Sequence, residues 1–268
     1  MKNLLPKREE NSNKGTFGTV LNVAGCNKYR GAAYLSSCAA LKVGAGKVVL
    51  ASQERVLDSI AEKCPEIILQ LRKDVKSLND YSSVVLGCGL STDRSAKQIF
   101  KKILNLTQNV NLPLVIDADG LNILSEENLK LNKNTILTPH PKEMARLMGV
   151  EVGEILKESE KWVKKCSEKY NCVAVLKMHK TLVCFENNFY ENNSGNSALA
   201  KAGTGDVLAG MIGGFLAQGM SCFDAAKLSV YLHGRAGELA SFDLSEYGVL
   251  ASDVLKYIPV AIKKLLEE

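Results

Sequence analysis

The chain has 268 residues, 46% hydrophobic and 24% charged, which excludes a disordered or fibrous protein and suits one large α/β domain. Its 34 basic and 29 acidic side chains leave a net charge of +5 spread along the chain, too little and too even for a nucleic-acid protein. No apolar run approaches the length of a membrane span, and Met1–Gly15 lack the apolar stretch of a signal peptide.

Taken in chain order, Thr19–Val23 reads as a strand, Gly31–Val43 as a helix and Lys47–Ala51 as a second strand. Ser83–Leu86, Leu112–Ile116 and Thr135–Leu137 read as further buried strands, with Asp93–Gln108 and Lys142–Met148 helical between and after them. That alternation predicts a mostly parallel sheet flanked by helices on both faces. Val173–Leu176, Thr181–Glu186 and Phe189–Tyr190 predict an antiparallel meander at the sheet edge. From Gly205 the chain turns helical, over Asp206–Gln218, Cys222–Ala240 and about Leu250–Leu266, broken by Gly219 and a Ser245–Gly248 loop. No repeat or linker interrupts the series, so residues 1–268 are expected to form a single domain. The eight cysteines form no CxxC pair, and several sit in apolar runs. They read as reduced core residues of a cytoplasmic protein, not as disulfides or zinc ligands.

Candidate functional residues follow the strands, where ligands bind in open α/β sheets. The strongest is Gly203-Thr204-Gly205-Asp206, set against an apolar helix. A helix N-terminus has free amides and partial positive charge, and glycine lets the backbone approach an anion. An Asp there would repel a bound phosphate; the pairing makes sense if Asp206 takes a proton from a hydroxyl while the amides hold charge on a transferring phosphoryl group. The other reading is a helix start with a favourable acidic first turn. Gly87-Cys88-Gly89 lacks the third glycine of a dinucleotide fingerprint and is read as a tight turn. Asp117 and Asp119 offer either Mg²⁺ ligands or a helix cap, and His140 sits in a stiff loop between two prolines. Lys177 and Lys180 flank a turn suited to a phosphate or to a plain charged hairpin tip. His233 reads as a packed core histidine.

In combination, DADGLNIL at 117–124, LTPHPKE at 137–143, LKMHKTLV at 176–183 and GNSALAKAGTGDVLAG at 195–210 resemble the ADP/ATP-dependent NAD(P)H-hydrate dehydratases. That family belongs to the ribokinase-like superfamily, and the resemblance extends over nearly the whole chain. It implies a ribokinase-like three-layer sandwich and a lyase that repairs NADHX and NADPHX, the hydrated forms of NADH and NADPH. The (S)-epimer would be dehydrated at the expense of ADP or ATP, with Mg²⁺. Asp206 would deprotonate the ring hydroxyl, helped by Gly203 and Gly205, and the hydroxyl oxygen would attack the terminal phosphoryl group. By the same resemblance Ala32, Gly89, Asp119, Asn122 and His140 would contact the hydrated dinucleotide. Lys177, Met178, His179, Lys180, Thr181, Asn196 and Gly205 would hold the adenine nucleotide, and Glu143 would reach Mg²⁺ through water.

The chain departs from the family's usual residues at Met178 (Gly), Cys88 (Pro), Asn13 (His) and Thr16 (Asp), and none of these is expected to touch Asp206. An epimerase domain, carried by many relatives, is not expected here, and a homotetramer is. The alternative function is a ribokinase-like kinase of a vitamin precursor, which would stop after phosphoryl transfer. A catalytically idle nucleotide-binding protein is disfavoured by the intact Gly203–Asp206, and an NAD-dependent dehydrogenase by the missing glycine fingerprint.

Overall fold

Valines and leucines dominate the strands, and their side chains alternate between two separate apolar cores, one on each face of a single sheet. A computed structural model describes residues 1–127 and 129–268. Among them are nine strands: β1 (Thr19–Val23), β2 (Lys47–Ser52), β3 (Ile68–Leu71), β4 (Ser83–Leu86), β5 (Leu114–Ile116), β6 (Thr135–Leu137), β7 (Val173–Leu176), β8 (Leu182–Phe185) and β9 (Asn188–Glu191). They lie in the order β3-β2-β1-β4-β5-β6-β7-β8-β9. Pairing is parallel from β3 through β7 and antiparallel at β7–β8 and β8–β9, as the predicted edge meander requires.

Helices α1 (Arg30–Lys42) and α2 (Glu54–Ala61) connect β1 to β2 and β2 to β3 on one face. There they are joined by α8 (Thr204–Ala217), α9 (Cys222–Gly248) and α10 (Ala251–Glu267). On the other face, α3 (Arg94–Asn109), α4 (Asp119–Glu126), α5 (Pro141–Met148), α6 (Val152–Lys157) and α7 (Ser159–Tyr170) serve the connections from β4 to β7. Right-handed crossovers demand this segregation once strand order reverses. The reversal falls between β1 and β4, where the two outgoing loops separate and leave a crevice. The amide of Gly25, after β1, donates to the carbonyl of Cys88, after β4, at 2.8 Å, closing the base of that crevice.

Two expectations change. Residues 245–248 are not a plain loop: a kink at Ser245, with φ 64° and ψ 157°, separates two helical stretches, the second running to Gly248. Strand β5 begins at Leu114, because Pro113 has no N–H for the ladder.

Candidate active site

Asp206 lies in the first turn of α8, whose N-cap Gly203 has a φ of 96° that an L side chain rarely adopts. The Thr204 amide is bonded to Lys201 and the Val207 amide to Gly203, so the amides of Gly205 and Asp206 face outward, as an anion requires. The Asp206 carboxyl is pushed up to about 6, first by burial and then by the nearby negative charge of Asp117; Asp119 adds to this, while Cys88 and Lys177 oppose it.

Beside it sits a buried charge cluster. Lys177, at the end of β7, places its Nζ 2.6 Å from Asp117 Oδ1 and 3.9 Å from Glu143 Oε2. Burial works against its charge, but Asp117 and Glu143 hold the ammonium above its ordinary value. Gly205 abuts this pair: a Cβ there would lie 3.4 Å from Lys177 Nζ and 3.8 Å from Asp117 Oδ2. Glu143 is raised to about 7, chiefly by burial, and accepts the His140 amide at 2.8 Å. His140 Nδ1 in turn accepts from the amides of Lys142 and Glu143, so the side chain is fixed as the cap of α5. Burial, and then the charge of Lys177, lower its pKa and keep the ring neutral.

On the crevice side, Gly89 and Ala32 touch: a Cβ on Gly89 would lie 2.8 Å from that of Ala32. Asp119 Oδ2 accepts the Ser91 amide at 2.8 Å, and Asn122 Oδ1 accepts from Arg146 Nη1 at 2.5 Å. Ala118, between Asp117 and Asp119, has a φ of 51°, a strained conformation for a residue with a Cβ. Such strain persists where surrounding structure enforces it, and here it lets two successive acids serve one site. On the opposite side, Lys177–Thr181 form the β7–β8 turn, with the Thr181 hydroxyl donating to the Met178 carbonyl at 3.1 Å. The Asn192 amide joins Thr181 at 2.9 Å, and Asn196 caps the short 3-10 turn that feeds α8. His179 and Lys180 are exposed, and Lys180 pairs with Glu191 at 3.1 Å.

Lys177, Asp117 and Glu143 gather beside Gly205, the residue before Asp206, and His140 caps the helix that carries Glu143. Lys177 is not a free cation at a hairpin tip, since it is tied to Asp117 sixty positions away. Asp117 gains a structural role, and its position directly after a buried strand was the available signal. His233 is buried, as expected, with Nε2 lacking a partner among the described residues and its pKa lowered to about 4, chiefly by burial. Cys88 is fully buried in the core on the α8 side of the sheet, and burial pushes its thiol well above the ordinary value.

The family model described as NAD(P)H-hydrate dehydratase matches residues 20–260. The chain belongs to this family. It is 41% identical to the ADP-dependent (S)-NAD(P)H-hydrate dehydratase of Neisseria meningitidis, over 87% of this chain and 80% of that protein. A bifunctional NAD(P)H-hydrate repair enzyme of Moorella thermoacetica is 35% identical over 98% of this chain, which spans 53% of that longer relative. Among solved structures, the ADP/ATP-dependent NAD(P)H-hydrate dehydratase of Bacillus subtilis, co-crystallised with ATP and Mg²⁺, superposes with a TM-score of 0.89 at 33% identity, covering 98% of this chain and 95% of that one. The ribokinase-like three-layer fold follows from these matches and the sheet order together.

Proposed function

We propose that this chain dehydrates (S)-NADHX and (S)-NADPHX to NADH and NADPH, consuming ADP or ATP, and that residues 1–268 act as one domain. The observation that carries the reading is the placement of a half-buried carboxylate, Asp206, in the first turn of α8, beside the outward amides of Gly205 and Asp206 and close to the Lys177–Asp117 pair. Sharing of one sheet by all nine described strands supports the single domain.

The chemistry follows from the leaving group. Hydroxide leaves poorly at neutral pH, whereas phosphate leaves well. Asp206 takes the proton of the ring hydroxyl, and the freed oxygen attacks the terminal phosphoryl of the nucleotide. The amides of Gly205 and Asp206 hold the charge spread over that group. The C–O bond then breaks toward phosphate as the ring nitrogen supplies electrons and the adjacent carbon gives up its proton, which restores the dihydronicotinamide. Ala32, Gly89, Asp119, Asn122 and His140 would orient the dinucleotide. Lys177 through Thr181, with Asn196, would frame the nucleotide, Lys177 acting from within its ion pair.

Among the described residues no cluster of three or more His, Cys, Asp or Glu is arranged to cage a metal. That fits Mg²⁺, which keeps several waters and binds through substrate phosphates with one or two carboxylates. Glu143 would contact it through water, and the ion would neutralise phosphate charge.

The proposal extends to place and assembly. Among the described residues no helix is long and apolar enough to cross a membrane, and every cysteine is free, which supports a reducing cytoplasmic setting. Exposed Phe242, Leu244, Tyr247 and Leu250, all within nine residues, support burial between copies in a homo-oligomer such as the expected tetramer.

The test is the gain of near-ultraviolet absorbance of the reduced nicotinamide on mixing the protein with NADHX, Mg²⁺ and either ADP or ATP. Wild type should restore NADH with one or both nucleotides, and Asp206→Asn should not. Failure of wild type with both would move the reading to a small-molecule kinase of the same fold.

A further inference from the structure

We propose that Arg72 is a phosphate-binding residue for the hydrated dinucleotide, its guanidinium receiving either the diphosphate bridge common to NADHX and NADPHX or the 2′-phosphate that NADPHX alone carries. This contact deepens the dehydratase reading and rests on it.

Arg72 is an anomaly where it stands. It opens the 3-10 turn Arg72–Asp74 directly after β3 and is only 8% exposed. A guanidinium carries five N–H donors. Among the described residues its side chain makes one hydrogen bond, from Nη2 to Ser95 Oγ at 2.9 Å, and Nη1 is buried with no partner. Among the same residues it forms no ion pair. Asp93 is the acid near enough to act on its charge, but both carboxylate oxygens are engaged, Oδ1 by the Ala96 amide at 2.9 Å and Oδ2 by the Ser91 hydroxyl at 2.9 Å. A buried charge left without a counter-charge or a full set of acceptors is costly, and an anion that completes it is bound strongly.

Its place in the fold decides whose phosphate it meets. β3 runs parallel to β2, β1 and β4, so Arg72 follows the carboxyl end of its strand, on the side of the sheet where the crevice opens. Its partner Ser95 is exposed in the first turn of α3, at the end of the loop that contains Gly89. A Cβ on Gly89 would lie 2.7 Å from that of Tyr29 and 2.8 Å from that of Ala32, so this loop and the one after β1 are packed together. Cys26, whose carbonyl accepts the Tyr29 amide at 3.0 Å, is the other ionisable group near Arg72. The guanidinium thus borders both loops that bound the crevice. Exposed Lys28 and Arg30 beside the first loop and Arg94 beside the second add positive charge there. The phosphates of the adenine nucleotide are out of reach: Lys177 ends β7, six strand spacings from β3, roughly 29 Å. An anionic dinucleotide in the crevice is the ligand that brings phosphate to Arg72, and the planar fork suits two of its oxygens at once.

The experiment measures kcat and KM for NADHX, NADPHX and ADP with wild type, Arg72→Gln and Arg72→Lys. Equilibrium titrations with NADH and NADPH, products that carry the same phosphates, accompany it. Arg72→Gln should raise the dinucleotide KM about ten- to hundredfold, with kcat and the KM for ADP little changed. A rise for both dinucleotides puts the diphosphate at Arg72, and a rise for NADPHX alone puts the 2′-phosphate there. Arg72→Lys keeps the charge without the fork and should raise the same KM about three- to tenfold. It carries the comparison should the glutamine variant not fold. A folded Arg72→Gln whose dinucleotide KM values both stay within about twofold of wild type overturns the proposal, and so does a KM for ADP that rises equally. The titrations keep the two readings apart. A wild type that dehydrates neither compound sinks the dehydratase reading, and Arg72 then stands or falls by whether Arg72→Gln binds NADH or NADPH more weakly.

Discussion

Asp206 is maintained against the electrostatics of its own surroundings, and that conflict has a stability signature. Its carboxyl rises from the ordinary 3.8 to about 6, mainly because burial strips water from the charged form. The folded chain therefore binds a proton that the unfolded chain has released across the interval from about 4 to 6. Stability falls as pH rises through that window and stays at the lower level above it. Replacing the acid by its neutral isostere removes the penalty. Asp206→Asn should be more stable than wild type at pH 8, on the order of 2 kcal/mol, with the gap closing toward pH 4. Urea unfolding at the two pH values measures this, and equal midpoints at pH 8 would show that the site carries no such strain. The gain should accompany loss of dehydration, the usual exchange of stability for activity at a catalytic group.

At the scale of elements, α8 delivers Asp206 only because it lies very close to α1. Twelve of its fourteen residues are buried, and its glycines make the approach possible. A Cβ on Gly210 would lie 2.0 Å from the Ser36 carbonyl, and one on Gly214 would lie 2.7 Å from that of Ala40, both backbone atoms of α1 that cannot swing aside. Gly210→Ala must push α1 away, and with it Ala32 on the crevice. A loss of about 3 kcal/mol is expected, seen as a lowered thermal midpoint, with a raised KM for the dinucleotide. Gly153→Ala, in α6 where a Cβ would meet nothing within 4 Å, is the control and should be neutral or slightly stabilising. The sequence made most of this framework legible. Strands such as Thr19–Val23 and Val173–Leu176 match their apolar runs residue for residue, because buried parallel strands need continuous β-branched surface. Ile68–Leu71 was missed, since an edge strand that is only partly covered carries a weaker pattern. The charged α6 and α7 also escaped, their apolar positions being few among lysines and glutamates. In the site, the Gly203–Asp206 turn and the loops after strands could be read locally. The Lys177–Asp117 ion pair could not, because it depends on which strands become neighbours.

For the molecule as a whole, the corner where α9 meets α10 ties the proposed assembly to the proposed chemistry. Phe242 and Tyr247 are 90% and 93% exposed there, an arrangement that leaves large rings in water unless another surface covers them. The backbone beside them is strained at Ser245, and the corner grips the loop that feeds α8: Ser197 bonds to Glu246, and Lys201 Nζ reaches the Tyr247 carbonyl at 2.5 Å. That loop carries Asn196 and ends at Gly203, so whatever orders the corner also orders the proposed nucleotide half of the site. Sedimentation of wild type should therefore reveal an oligomer, and a Phe242→Ser, Tyr247→Ser double variant should dissociate while remaining folded. The dissociated variant should show a raised KM for nucleotide, since the loop that the corner grips carries Asn196. A monomeric wild type at assay concentration would sever the link, and so would a dissociated variant with unaltered nucleotide KM.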